Sequence, residues 1–200
     1  MAEKNIGKKE DTTLFKVIGA VLLGALVFFA AGYLIWSDTS DYEFVEQGNY
    51  WITTVELNGQ PYNIPFYNRI SETRDVETQE GFEDAILGMP KDGMIIISVD
   101  PNAPAYTGVA GSQISRITGD RFGILNIQTK GAYYTAPAHN TSQPIVDCED
   151  AREDLIVIHM QVGSSNSISS EDSCITVTFE DQEGALKTTD RFVYELLKMV

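Results

Sequence analysis

Hydrophobic residues fall along this chain in two distinct rhythms. From Val17 to Trp36 it reads VIGAVLLGALVFFAAGYLIW, twenty residues without a charge. At ~1.5 Å per residue, a helix of that length covers about 30 Å, the thickness of a bilayer's hydrocarbon core. Beyond Trp36 the apolar residues break into short runs of strand or amphipathic-helix period, punctuated by Gly, Pro, Asn and Asp. The pattern predicts a tail over 1–16, a transmembrane helix over 17–36, a linker or first strand over 37–48, and one folded domain over 49–200.

Within that domain, Tyr50–Leu57 (YWITTVEL) is β-branched and aromatic, and Asn58-Gly59 signals a hairpin into Tyr62–Tyr67. Pro61 and Pro65 mark the second run as an edge strand. A short helix is expected in Glu80–Leu87, with Phe82, Ala85 and Ile86 on one side and Pro90 as its stop. Met94–Val99 (MIIISV) has the unbroken apolar character of a central strand. Thr107 is placed to cap a following helix that carries Ala110, Ile114 and Ile117 on one face and ends at Gly119. Phe122–Gln128 then reads as a strand parallel to Met94–Val99.

Gly131–Gln143 reads as loop, and Ile145-Val146 as a short strand leading to Cys148. Leu155–Val162 (LIVIHMQV) is a buried strand, Gly163–Ser173 a polar connection, and Cys174–Phe179 (CITVTF) a strand in hairpin with the previous one. Phe192, Val193, Leu196, Leu197 and Val200 make the stripe of a closing helix that starts between Glu183 and Thr188. The expectation is a mixed α/β domain with one sheet of five to seven strands and about three helices.

Charge orients this arrangement. Lys4, Lys8, Lys9 and Lys16 precede the apolar run, while Asp38, Asp41, Glu43 and Glu46 follow it with no basic residue before Arg69. Positive flanks stay cytoplasmic, so the domain is expected outside the cell. The competing reading is a cleaved signal peptide using Ala30, Ala31 and Gly32, against which the run continues through Tyr33, Leu34, Ile35 and Trp36. Ala20 and Gly24 form a small-residue pair that also suits a lone membrane helix.

The formal net charge of -15 is unevenly divided. Residues 1–36 carry four basic and three acidic side chains, and the rest carries ten against 26. Such acidity is repelled by phosphate backbones, so nucleic-acid binding is not expected.

Only Cys148 and Cys174 are present, both beyond the apolar run. In an oxidising exterior a disulfide between them is the leading expectation, with free structural thiols as the alternative. Neither His139 nor His159 is spaced to complete a zinc site with them. Asn140-Thr141-Ser142 is a formal glycosylation sequon, making Asn140 a candidate acceptor.

Candidate chemistry is sparse. The chain lacks GxSxG, GxxxxGK[ST], HExxH and GxGxxG, and no catalytic residue, metal site or cofactor is expected. Gly108-Val109-Ala110-Gly111-Ser112 resembles a phosphate cradle without its lysine, and small residues there equally suit close helix packing. Asp100 and Asn102 are the candidate ligand-binding pair, because open α/β sheets bind ligands at the carboxyl ends of strands. Asp-Pro-Asn is equally a turn. Asp147, Glu149, Asp150, Glu153 and Asp154 could gather Ca²⁺ or form a solvated surface.

Three segments carry a resemblance: SVDPNAP, PIVDCEDAREDLIVIHMQVG and SCITVTFEDQEGALKTTDRFVYELLKMV. With the N-terminal anchor they resemble a loosely defined group of small archaeal single-pass membrane proteins of unknown function. The resemblance implies an archaeal-type envelope protein with a structural cysteine pair, whose Asp190 and Arg191 cap or brace the last helix. The functional expectation is a non-enzymatic exterior domain, held in the bilayer by Val17–Trp36 and binding an envelope protein. The alternative is an anchored enzyme or ligand binder using Asp100 and Asn102.

Overall fold

A computed structural model describes residues 42–121, 124–137 and 142–200, all within one compact unit, Ser40–Val200. The expected transmembrane helix, and the sequon at Asn140 with neighbouring His139, lie outside the described residues. Among the described residues, no helix is long and apolar enough to cross a membrane.

The domain is mixed α/β, with nine strands in two sheets among the described residues rather than the single sheet expected. β1 (Val45–Gln47), β2 (Tyr50–Leu57) and β3 (Gln60–Phe66) form an antiparallel meander. Its second turn is Asn58-Gly59, both at positive φ, as a tight hairpin demands. β3 is an edge strand, which accommodates Pro61 and Pro65.

The larger sheet contains β4 (Glu77–Thr78), β5 (Met94–Val99), β6 (Gln128–Tyr133), β7 (Leu155–Val162), β8 (Ser167–Glu171) and β9 (Cys174–Phe179), in the order β4-β8-β9-β7-β5-β6. Strands β6, β5, β7 and β9 run parallel, with β8 antiparallel to β9.

Two expectations change here. β7 and β9 are neighbours but parallel, because the polar connection between them contains β8, which turns into β9 through Asp172 at φ 51. Ile168 supplies β8's apolar anchor, 1% exposed, which the surrounding serines disguise. The strand after the second helix is Gln128–Tyr133, later than Phe122–Gln128, and it takes three residues from the stretch read as loop.

Among the described residues, three α-helices accompany the sheets: α1 (Phe82–Leu87), α2 (Ala105–Thr118) and α3 (Gln182–Leu196). Thr107 does not cap α2; Pro104 holds that position, and Thr107 is buried within the first turn. Pro104 fixes φ and starts the helix without donating an N–H, which leaves the threonine free to face inward. Asp181 caps α3 by accepting from the Gly184 N–H at 2.8 Å.

Helices α2 and α3 pack on one face of the large sheet. Ile95, Ile97, Ile156, Ile158, Met160, Ile175, Val177 and Phe179 meet Ala110, Ile114, Ile117, Ala185 and Phe192 there. The small sheet lies on the far side of the helices: Phe66 stacks on Tyr194 at 4.3 Å, and Arg116 Nη2 donates to the Pro65 carbonyl at 3.1 Å. The result is sheet, helix layer, sheet.

Candidate functional site

Among the described residues, no α-helix packs on the large sheet's second face. Alternation along β5, β7 and β9 puts Ile96, Ser98, Val157, His159, Gln161, Cys174, Thr176 and Thr178 on this side. Register then builds rows across it: Ser98 sits beside His159, which sits beside Thr176, and Gln161 sits beside Thr178. Gln161 Nε2 donates to Thr178 Oγ1 at 3.1 Å, and buried Ser98 Oγ donates to the Val146 carbonyl at 2.6 Å. The chain from Ser142 to Asp154 runs along this side, and the disulfide between Cys148 and Cys174 joins it to β9.

At the carboxyl end of β5, Asp100 behaves as a turn residue. Its Oδ1 accepts from the Asn102 N–H at 2.7 Å, and its carbonyl accepts from the Ala103 N–H at 3.0 Å. Asn102 is exposed. Asp100 also lies beside Tyr134: burial, and then the charge of Asp100 and a hydrogen bond to it, push the tyrosine phenol up. The Tyr134 ring packs on His159, centroids 4.2 Å apart. Burial pushes the His159 imidazole down, against the opposing pull of Asp147 and a hydrogen bond with Gln161. Among the described residues, His159 Nδ1 is buried without a hydrogen-bond partner. The fold thus brings together Asp100, Tyr134, His159, Asp147 and Gln161, two acids, a phenol, an imidazole and an amide.

Asn102 stays outside this group. Tyr134 gave no clear signal in the sequence because it lies in a stretch that reads as loop, one residue past the end of β6; its one mark was the Ala-Tyr-Tyr run that β6 enters. A half-buried imidazole beside a phenol and a carboxylate can exchange a proton with them, though its burial favours the neutral form. No nucleophile or oxyanion cradle accompanies it among these residues.

A cleft of about 270 Å³ opens on the helix side, between α2 and β6, lined by Ile97, Gly111, Ser112, Ser115, Gly131 and Tyr133 among others. Neither Asp100 nor Asn102 lines it. The glycines compared above to a phosphate cradle are inside α2. A Cβ on Gly111 would meet Ile97 Cγ2 at 3.1 Å and Met160 Sδ at 3.2 Å, so its small size serves helix-on-sheet packing.

The carboxylates after Val146 mostly bind their own turn. Asp147 Oδ1 accepts from the Glu149 N–H at 2.9 Å, Asp150 Oδ2 from the Asp147 N–H at 3.1 Å, and Asp154 pairs with Arg152 at 2.7 Å. No metal-ligating group of three His, Cys, Asp or Glu side chains occurs among the described residues.

Asp190, in the middle of α3 and 3% exposed, is the most deeply placed carboxylate described. Its Oδ2 accepts from the Tyr67 N–H at 2.9 Å, the Asn68 N–H at 2.7 Å and Asn68 Nδ2 at 2.9 Å. Burial pushes its pKa up to about 7, although these donors and Arg116 pull the other way. It braces the exit of β3, where Tyr194 also donates to the Asn68 carbonyl at 2.5 Å. Arg191 pairs with Glu195 at 2.6 Å.

No protein family, curated protein or solved structure matches this chain.

Proposed function

We infer that this chain is a membrane-anchored protein whose exterior domain binds another protein of the cell envelope without catalysing a reaction. The observation that carries the reading is the uncharged Val17–Trp36 run, with four lysines before it and acidic residues after it. The Cys148–Cys174 disulfide suits an oxidising exterior. Confinement to the bilayer raises the domain's effective concentration near membrane partners.

The partner-facing element in this reading is the small sheet. Among the described residues no strand pairs with the outer side of β1, whose three residues are all exposed, Val45 at 59%. An edge of this kind recruits another strand through main-chain hydrogen bonds. The test is a photocrosslinking residue at Glu46 in the full chain, in native membranes, with the same residue at Glu153 as control. A defined crosslinked species from Glu46 alone is expected; identical patterns from both positions contradict the reading.

A second reading, a small-ligand or enzymatic site at the strand ends, draws on the grouping of Asp100, Tyr134, His159 and Asp147. It requires that Asp100 exchange its turn hydrogen bond for a ligand. A ligand that raises the melting temperature of the parent protein but not of Asp100→Ala would favour it over the first.

A further inference from the structure

The Cys148–Cys174 disulfide sits where it controls one specific part of the fold. Cys148 lies on an exposed 3-10 turn, Cys148–Asp150, while Cys174 opens β9 and is 6% exposed. Between them the chain runs through β7 and β8, a separation of 26 residues. The segment fastened by this bond, Ser142–Asp154, contributes no buried apolar side chain, and Ile145 is 55% exposed. Its ties to the sheet include Ser98 Oγ to the Val146 carbonyl, Tyr133 N–H to the Pro144 carbonyl at 3.0 Å, Val146 N–H to the Tyr133 carbonyl at 2.8 Å and, at its far end, Met94 N–H to the Asp154 carbonyl at 3.0 Å. Arg152 adds a two-way backbone pair with Leu155, three residues on and the first residue of β7. Since each hydrogen bond has a modest net worth, the covalent link is the strongest single fastening of this segment.

The same bond is open to attack. Both cysteines line a surface groove of about 570 Å³, whose other walls include Ser169, Ser173, Thr176, Glu171 and Asp172. Glu149 and Asp150 follow Cys148 directly in its exposed turn. Four carboxylates around one disulfide repel an anionic thiol and attract a cationic one.

We propose that Cys148–Cys174 is an exchangeable disulfide, reduced by a dithiol presented on a basic surface, and that its reduction frees Ser142–Asp154 from the second face of the large sheet while the helix side stays folded. The thiolate of the dithiol attacks Cys148 Sγ, the sulfur–sulfur bond breaks, and Cys174 leaves as a thiolate that takes up a proton. The second thiol, once deprotonated, attacks the reagent's own sulfur in the mixed disulfide and releases Cys148, which is protonated in turn. The dithiol is oxidised to a disulfide, and its two electrons and two protons end on the two cysteines. Once free, the segment withdraws the Val146 carbonyl from Ser98 and uncovers the Tyr134–His159 pair.

The experiment uses the full chain under native conditions with two small thiols, cysteamine and an anionic mercaptoalkanesulfonate, their rates compared per thiolate because the ammonium group lowers the first thiol's pKa. Reduction is followed by thiol counting, and hydrogen exchange is measured before and after. Cysteamine is expected to react about tenfold faster at low ionic strength, with the ratio shrinking toward one in high salt. Protection is expected to fall at the Tyr133 and Val146 amides and to persist at Ala185 and Leu197 in and after α3. Equal rates for the two thiols would overturn the basic-surface part. Reduction only at the rate of global unfolding, protection lost throughout the domain, or protection unchanged at Val146 would each overturn the rest.

Discussion

The two sides of the large sheet are built from alternate residues of the same strands, yet they are held by different means. On the helix side, Ile95, Ile158, Val177 and Phe179 meet α2 and α3 in a continuous apolar layer. On the other side, Ile96, Val157 and Ser98 are buried, but the neighbouring His159, Gln161, Thr176 and Thr178 are only partly covered. There the overlying chain is attached by one disulfide and a few hydrogen bonds. One face is held by burial spread over many residues, the other by fastenings that can be undone singly. A fold organised in this way can change one surface without losing its core.

Substitution should expose this asymmetry. Phe192→Ala, removing a fully buried ring that packs on Phe82 at 4.8 Å, should cost roughly 3–5 kcal/mol and lower the whole denaturation transition. Replacing Cys148 and Cys174 together by Ser should cost roughly 3.5 kcal/mol in global stability by the chain-entropy estimate. The added exchange should concentrate near Val146; uniform loss across α3 would contradict the contrast between the faces.

The pH dependence should have opposite signs on the two sides. Asp190, whose folded pKa is raised to about 7, binds more protons folded than unfolded between its ordinary value near 3.8 and about 7. Its contribution is fully present below that window and is lost as pH rises through it. His159, with its pKa lowered from 6.5, contributes stability that is present above its unfolded value and is lost as pH falls through the folded one. Chemical denaturation from pH 4 to 8 of the parent, Asp190→Asn and His159→Gln separates the two. The first variant should remove the decline toward neutral pH, the second the loss on acidification. The smallest effect is expected from Ser98→Ala, about 1 kcal/mol for the lost bond to the Val146 carbonyl.

Helices and strands were legible wherever burial alone dictates the residue pattern. MIIISV is covered on both faces and reads as such, Asn58-Gly59 allows little other than a tight hairpin, and the Phe192–Leu197 stripe marks its helix. β8 was hidden because its one core residue, Ile168, stands among serines whose other neighbours are solvent and the strand edge. The parallel pairing of β7 with β9 was hidden for the same reason, since it exists only because β8 intervenes. Asp100 was visible as a turn residue, and the sequence reading named both the turn and the site. Its neighbour Tyr134 was not visible, because a ring contact with His159 depends on β6 and β7 flanking β5, which is a fact of sheet order. Asp190 stood out only as part of a resemblance. Its three N–H donors come from Tyr67 and Asn68, more than a hundred residues earlier.

The proposed placement of the domain outside the membrane is tested most directly by a single cysteine at Ser37, just beyond the apolar run, in the full chain with Cys148 and Cys174 left as their disulfide. In intact cells, a membrane-impermeant maleimide is expected to label that cysteine without permeabilisation. Labelling only after the membrane is opened would contradict the exterior domain and the oxidising setting assigned to its disulfide.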